Sequence, residues 1–368
     1  MHVLMTADTL GGVWTYVREL ATELVRRHVR VTLVSFGEIP TLEQTAWMDA
    51  LPLLDYRPTG FKVEWMQECD EDLAASAEYL RMVVAEVKPD LLHFNQYFYG
   101  ALDFDQPAIV VAHSDVVSWW QSVHKTDPPE SPWIRNYRRI VSRGLAGADA
   151  VVAPSFASLA QLESNFVRPH RTQVIHNGRN PSLFNPHRDK ENYATSVGRV
   201  WDLGKNAALL TKIETPWPIY VAGDNTNPDL AVRPTALHVG EGRVVFKGVM
   251  TEHQLRALYA DASIYIATSQ YEPFGLAPLE AALSRCAILA SDIPTFREIW
   301  NENAVYFRNN DRTCLEAALF QLCADPPAIK AYGELALTHA RQHYSSSRMT
   351  EEYLQLYRSL MPAGVVAA

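Results

Sequence analysis

The chain has 368 residues, 48% hydrophobic and 20% charged, which is enough for two domains of ordinary size and is the composition of a soluble globular protein. A net charge of −9 with no dense basic run argues against a nucleic-acid binder. Cys69, Cys286, Cys314 and Cys323 are widely spaced with no C-x-x-C pair, so neither a zinc site nor a disulfide framework is indicated. The apolar runs are strand-sized and the sequence opens directly into a strand pattern, so the expectation is a cytoplasmic protein without a membrane span.

Short β-branched runs alternate with helix-period segments from end to end, the signature of parallel sheets covered by helices on both faces. In the first half the strand patterns are 2–7, 30–36, 91–94, 108–112, 150–153 and 173–175. After the first comes Asp8-Thr9-Leu10-Gly11-Gly12, then a helix with Val13, Val17, Leu20, Ala21 and Leu24 on one stripe. Gly11 and Gly12 let the backbone approach a ligand and present amides at a helix start, although a simple tight turn explains them as well. Asp103-Phe104-Asp105 has the D-x-D form that holds divalent ions elsewhere, but it precedes its strand and so lies at the wrong edge of the sheet; no metal is expected. His113 follows the strand 108–112; a histidine there is commonly a hydrogen-bonded structural group. Trp119-Trp120 and Trp133-Ile134-Arg135-Asn136-Tyr137-Arg138-Arg139-Ile140 mix aromatics with cations. A half-buried helix with a solvated basic face is the main reading, beside an aromatic wall for an acceptor or a peripheral membrane contact.

Turn formers cluster at 177–186, which divides the chain into a first domain 1–178, a linker 179–190 and a second domain 191–345. The second-half strand patterns are 194–197, 219–222, 244–246, 264–267, 288–290 and 304–307. Two sets of six predict two doubly wound α/β domains. The last helical segment, 346–361, carries Met349, Tyr353, Leu356, Tyr357 and Leu360 on one apolar face that needs cover, and the Ala-rich tail after Met361 is expected to fray.

Ligands bind open parallel sheets outside the carboxyl ends of the strands. There the second domain places Val197-Gly198-Arg199-Val200-Trp201-Asp202-Leu203-Gly204-Lys205-Asn206, whose Arg199 and Lys205 are suited to a diphosphate; two ordinary solvated charges are the alternative. Further on, Tyr271-Glu272-Pro273-Phe274-Gly275-Leu276-Ala277-Pro278-Leu279-Glu280 puts Glu272 in a loop after a buried strand and Glu280 on a helix that starts at Leu276 and tolerates Pro278 in its first turn. Unpaired amides at that helix start attract a diphosphate, and carboxylates accept hydrogen bonds from ribose or sugar hydroxyls. Without a ligand, the same pattern is an acidic residue near a helix start plus a surface glutamate.

This stretch resembles the E-x7-E motif of the retaining glycosyltransferases of family GT4, which have the two-domain GT-B fold. Ala148-Asp149-Ala150-Val151-Val152-Ala153-Pro154-Ser155, Val174-Ile175-His176-Asn177-Gly178 and Ala222-Gly223-Asp224 agree with that family in order as well as kind. The resemblance implies two Rossmann-like domains facing each other across a cleft, with the final helix packed back on the first, acceptor-side domain. It implies metal- and cofactor-independent transfer of a hexosyl unit from a nucleoside-diphosphate sugar, such as a UDP-, GDP- or ADP-hexose, to an acceptor hydroxyl, with retention. It implies that Arg199 and Lys205 bind the diphosphate with Gly198 and the Phe274-Gly275-Leu276 helix start, Glu272 the sugar hydroxyls and Glu280 the ribose. His113 would lie beside the donor sugar, and Gly11 and Gly12 would border phosphate and acceptor. A sugar-nucleotide epimerase of the same architecture and a non-catalytic sugar- or nucleotide-binding scaffold are the competing functions. Ser284-Arg285-Cys286 departs from the family, which often has glycine near the end of the helix after the second glutamate, and leaves the helix exit open.

Overall fold

The computed structural model describes residues 1–9, 11–226 and 243–361; Leu10 of the first glycine loop and the tail after Met361 lie outside the described residues. The chain forms two compact units. The first comprises Met1–Gln121, Thr126–Gly178 and the chain from Ser346 on, the second Ser122–Lys125 and Arg179–Ser345.

In the first unit the strands are β1 (His2–Asp8), β2 (Arg30–Phe36), β3 (Leu54–Pro58), β4 (Leu91–Phe94), β5 (Ala108–Val111), β6 (Ala150–Ala153) and β7 (Thr172–Val174). They form a parallel sheet in the order β3-β2-β1-β4-β5-β6-β7. Its helices are α1 (Gly12–Arg26), α2 (Leu42–Thr45), α3 (Asp70–Val87), α4 (Val116–His124), α5 (Pro132–Gly147) and α6 (Phe156–Asn165). In the second unit the strands are β8 (Glu191–Val197), β9 (Ile219–Ala222), β10 (Val244–Gly248), β11 (Ala262–Ala267), β12 (Ala287–Ser291) and β13 (Val305–Phe307), in the order β10-β9-β8-β11-β12-β13, again parallel. Its helices are α7 (Glu252–Asp261), α8 (Leu276–Leu283), α9 (Pro294–Trp300), α10 (Arg312–Cys323) and α11 (Pro326–His343); α12 (Ser346–Leu360) belongs to the first unit.

Among the described residues the first sheet has seven strands rather than the expected six. The extra one, β3, is an edge strand of mixed polar residues ending at Pro58, so no apolar run announces it, and proline is tolerated there because an edge leaves its missing N–H unneeded. The other strands shift by a few residues at their ends, as at β8 and β11, which begin earlier than their apolar runs.

In each sheet the strand order reverses next to the first strand, between β1 and β4 and between β8 and β11. That switch point opens a crevice at the carboxyl ends, so each sheet has one predetermined ligand edge. Local signals hold the framework. Ser131 caps α5 and Ser155 caps α6, each accepting a backbone N–H, while Thr251 and Gln254 form a reciprocal capping box on α7. The apolar face of α12 is covered within its own unit. Met349, Tyr353, Leu356 and Tyr357 are buried with Tyr16, Val17, Leu20 and Leu24 of α1, at about 1.5–3 kcal/mol for each large side chain removed from water. Polar contacts pin it further, from Tyr357 Oη to His93 Nδ1 at 2.6 Å and from Arg27 to Ser347 Oγ at 2.7 Å.

Candidate active site

The second unit brings its chemistry to the β8/β11 switch point. The loop after β8 is braced by Asp202, which is buried and binds both the Gly204 N–H at 2.8 Å and the Arg199 guanidinium at 2.9 Å. The loop after β11 is sewn to it: Gly204 O accepts from the Gln270 and Tyr271 amides, and Lys205 O from Thr268 Oγ1. This stitching sets Lys205 Nζ against Glu272 Oε2 at 2.6 Å, with Ser269 Oγ donating to the same oxygen at 3.3 Å. Lys205 and Glu272, assigned by resemblance to phosphate and to sugar, thus pair with each other, their side chains 26% and 12% exposed. Arg199 is 44% exposed, paired with Asp202, and stacked on Trp201 at 5.3 Å.

Glu272 leads into α8. Gly275 is its N-cap with φ +101, a left-handed conformation that favours glycine, and no side chain caps the helix. The first turn carries no acidic residue, and Pro278 contributes no N–H, so the polar end of α8 falls to the amides around Gly275 and Leu276. The Phe274 side chain is buried against Tyr344, ring centroids 5.5 Å apart, so only its backbone can face a ligand. Gly198 sits by the backbone of Gly223. A Cβ on Gly223 would fall 1.8 Å from Gly198 O, whereas one on Gly198 would meet Lys205 Cγ at an ordinary 3.6 Å. At the end of α8 the open question of the helix exit has a definite answer: Arg285 takes φ +67, and the Arg285 and Cys286 amides close onto Ala282 O and Ala281 O, a Schellman turn made without glycine.

Glu280 does not face Glu272's partners. Its Oε1 lies 2.9 Å from Nε of Arg179, a residue that the turn-rich sequence around it hid from view.

In the first unit, Gly11 (φ +75) is the uncapped N-cap of α1, Gly12 is its first residue, and both are exposed. His113 Nε2 lies 2.7 Å from Asn95 Oδ1, and Tyr16 meets the imidazole edge-on at 4.6 Å. Asn95 Nδ2 donates to Thr6 O at 2.6 Å, which turns Oδ1 toward His113 and requires the imidazole proton on Nε2, leaving Nδ1 as an acceptor. Burial pushes the His113 pKa down to about 3, although the residue as a whole is only half-buried, so the ring is neutral. Asn95 follows β4 at the ligand edge and could have been found by the strand-end rule that singled out His113.

Trp119 and Trp120 meet edge-on with ring centroids 6.3 Å apart, and the mixed residues of α5 make local contacts. Trp133 stacks on Tyr137 and donates to Met66 O, while Arg135 pairs with Glu130, Arg138 reaches Asn165 O and Arg139 holds Asn136. Among the described residues no helix is long and apolar enough to cross a membrane, and no three His, Cys, Asp or Glu side chains gather as a metal would require.

Residues 10–183 match the family model described as Glycosyltransferase Family 4, and residues 184–337 the one described as Glycosyl transferases group 1. The chain belongs to glycosyltransferase family 4. Among curated relatives, the lipopolysaccharide core biosynthesis mannosyltransferase LpcC of Rhizobium leguminosarum bv. viciae is 29% identical over 237 residues, 58% of this chain and 65% of that protein. The O-antigen chain mannosyltransferase RfbU of Salmonella typhimurium is 28% identical over 172 residues, 45% of this chain and 48% of its own length. Less than two thirds of either relative is therefore matched. Among solved structures, a sucrose-phosphate synthase from Thermosynechococcus elongatus superposes with a TM-score of 0.78 over 98% of this chain and 99% of that one, at 21% identity, which is a likeness of fold. The fold of this family 4 glycosyltransferase is GT-B, built from two parallel-sheet α/β units.

Proposed function

We propose that this chain transfers a hexosyl unit from a nucleoside-diphosphate sugar to an acceptor hydroxyl, with retention at the anomeric carbon and without a metal ion. The observation that carries the reading is the Lys205–Glu272 pair at the second sheet's switch point, with Arg199 and the uncapped start of α8 beside it. Charge builds on the departing diphosphate in the transition state, and Arg199, Lys205 and the α8 amides are the groups that would meet it. They supply cationic stabilisation of the kind a divalent ion gives elsewhere, which supports metal independence. Glu272 would accept hydrogen bonds from the sugar and Glu280 from the ribose. A neutral His113 with a free Nδ1 lone pair would accept a sugar hydroxyl, orienting the hexose rather than moving a proton. Retention follows from the resemblance to the retaining GT4 enzymes. Because LpcC and RfbU are named as mannosyltransferases of lipopolysaccharide core and O-antigen chain, a mannosyl donor and a saccharide acceptor are the first pair to try.

The test is a thermal-shift screen of UDP, GDP, ADP and their hexose conjugates, repeated on Glu280→Ala and Arg199→Ala, since a ligand that binds only the folded state raises its apparent stability. One nucleotide stabilising the wild type but neither variant supports the site and names the donor. No shift with any of them, or equal shifts in the variants, overturns it. The anomeric configuration of the product, read by NMR, decides retention.

A further inference from the structure

Arg179 opens the second unit and is fixed from two sides. Its amide donates to Tyr344 O at 3.0 Å and it pairs in a parallel bridge with Ser345. Its guanidinium is only 1% exposed, which is tolerable for a cation only when it is paired. The pairs are Glu280 Oε1, 2.9 Å from Nε, and Glu252 Oε1, 3.1 Å from Nη2, with the Phe184 ring 5.5 Å away. Glu252 has a second cation, Arg256 at 2.5 Å, so its charge does not depend on a buried arginine. Glu280 is an ion-pair partner of the fully buried guanidinium, its Oε1 close to Nε though not hydrogen-bonded to it, and Glu280 keeps 13% exposure.

We propose that Arg179 is the positioning residue for ribose recognition: it holds the Glu280 carboxylate charged and in one orientation so that Glu280 accepts the ribose hydroxyls of the donor nucleotide. This rests on the glycosyl-transfer reading above. Glu280 lies one helical turn beyond the start of α8, about 6 Å along the axis, the reach from a diphosphate at the helix start to the hydroxyls of its ribose. A planar guanidinium fixes the direction of a carboxylate as well as its charge; an ammonium supplies charge alone. Arg179→Lys is therefore the informative change, because it keeps the buried charge and loses the planar group that lies against both Glu252 and Glu280.

The experiment titrates wild type, Arg179→Lys and Glu280→Gln with UDP, GDP and ADP, with their 2′,3′-dideoxy counterparts, and with inorganic pyrophosphate, by calorimetry. The expected wild type binds one ribonucleotide about tenfold or more tightly than its dideoxy form, the scale of a hydrogen bond to a charged group. In Arg179→Lys and Glu280→Gln that ratio falls to within about twofold while pyrophosphate affinity is kept, since its cations are elsewhere. If Arg179→Lys keeps the ribose preference, the proposal is wrong and the donor reading stands. If Arg179→Lys loses pyrophosphate and nucleotide affinity alike, or does not fold while Glu280→Gln folds and keeps the ribose preference, Arg179 only braces the unit and the proposal is equally overturned. A wild type that binds nucleotides without preferring ribose removes Glu280's role and this proposal with it; a wild type that binds none removes the donor reading itself.

Discussion

Replacing Glu272 by glutamine should strengthen the binding of a nucleoside diphosphate while slowing transfer of the sugar. Lys205 is held by Glu272 at 2.6 Å, so an incoming diphosphate must compete with a carboxylate for the ammonium. Two unit charges at that separation attract by roughly 6 kcal/mol at an effective dielectric constant of about 20, but desolvation offsets most of it and a charge-assisted hydrogen bond nets about 1.5–3 kcal/mol. Glutamine still accepts a hydrogen bond from the Lys205 ammonium but removes the negative charge, so about 1–2 kcal/mol of the ion-pair attraction, near tenfold in Kd, returns to the diphosphate. Glutamine is also a poorer acceptor for the sugar hydroxyls, so kcat with the intact donor should fall by tenfold or more, by about the same charged-bond increment. Calorimetry with UDP, GDP and ADP and initial rates with the matching hexose donor measure the two effects separately. A Glu272→Gln enzyme whose diphosphate affinity drops along with its turnover would refute the competition between carboxylate and phosphate for Lys205.

Two further outcomes test the framework around the site. Burial lowers the pKa of His93 to about 3, as it does for His113, so the unfolded chain binds the extra proton between the ordinary imidazole value of 6.5 and about 3. Stability from a buried neutral imidazole is therefore fully present above pH 6.5 and is lost as pH falls, by about 1 kcal/mol at pH 5.5. Urea unfolding of His93→Gln should lose correspondingly less than wild type between pH 7.5 and 5.5, and an identical loss would contradict the assignment. At the β8/β9 edge, Gly223→Ala forces a Cβ to 1.8 Å from Gly198 O at φ +139 and should cost about 3 kcal/mol or more, while Gly198→Ala, with its open 3.6 Å contact, should cost under about 1 kcal/mol. Thermal denaturation separates the two, and equal costs would show that the close backbone approach is not what constrains this turn.

The parts of the fold that could be read from sequence are those where local chemistry and tertiary packing agree. The doubly wound sheets follow from apolar runs because strands covered on both faces must be apolar, and α8 stands where glycine and an early proline mark a start. β3 was invisible because an edge strand has little surface to bury, so its residues carry no pattern. Arg285 illustrates the opposite case: the missing glycine left the exit of α8 open, yet the turn forms because two backbone hydrogen bonds offset the strain of one left-handed arginine. Spacing placed both glutamates near one helix start but could not say what each would touch, since their partners lie far away along the chain and are delivered by the strand order.

That difference in partners is where the two glutamates part company. Lys205 and Glu272 keep some solvent access, so their pair can open at modest cost, as a site must if its cation is to serve an incoming phosphate. Glu280 is about as exposed as Glu272, but its cation is sealed: Arg179 is 1% exposed against 26% for Lys205, and breaking that pair would leave a cation without solvent, which is strongly unfavourable. On the proposed function the first pair is exchanged in each catalytic cycle and the second persists through it. Identical residues in one motif would then do different work because one sits at the mouth of a loop and the other against a buried guanidinium.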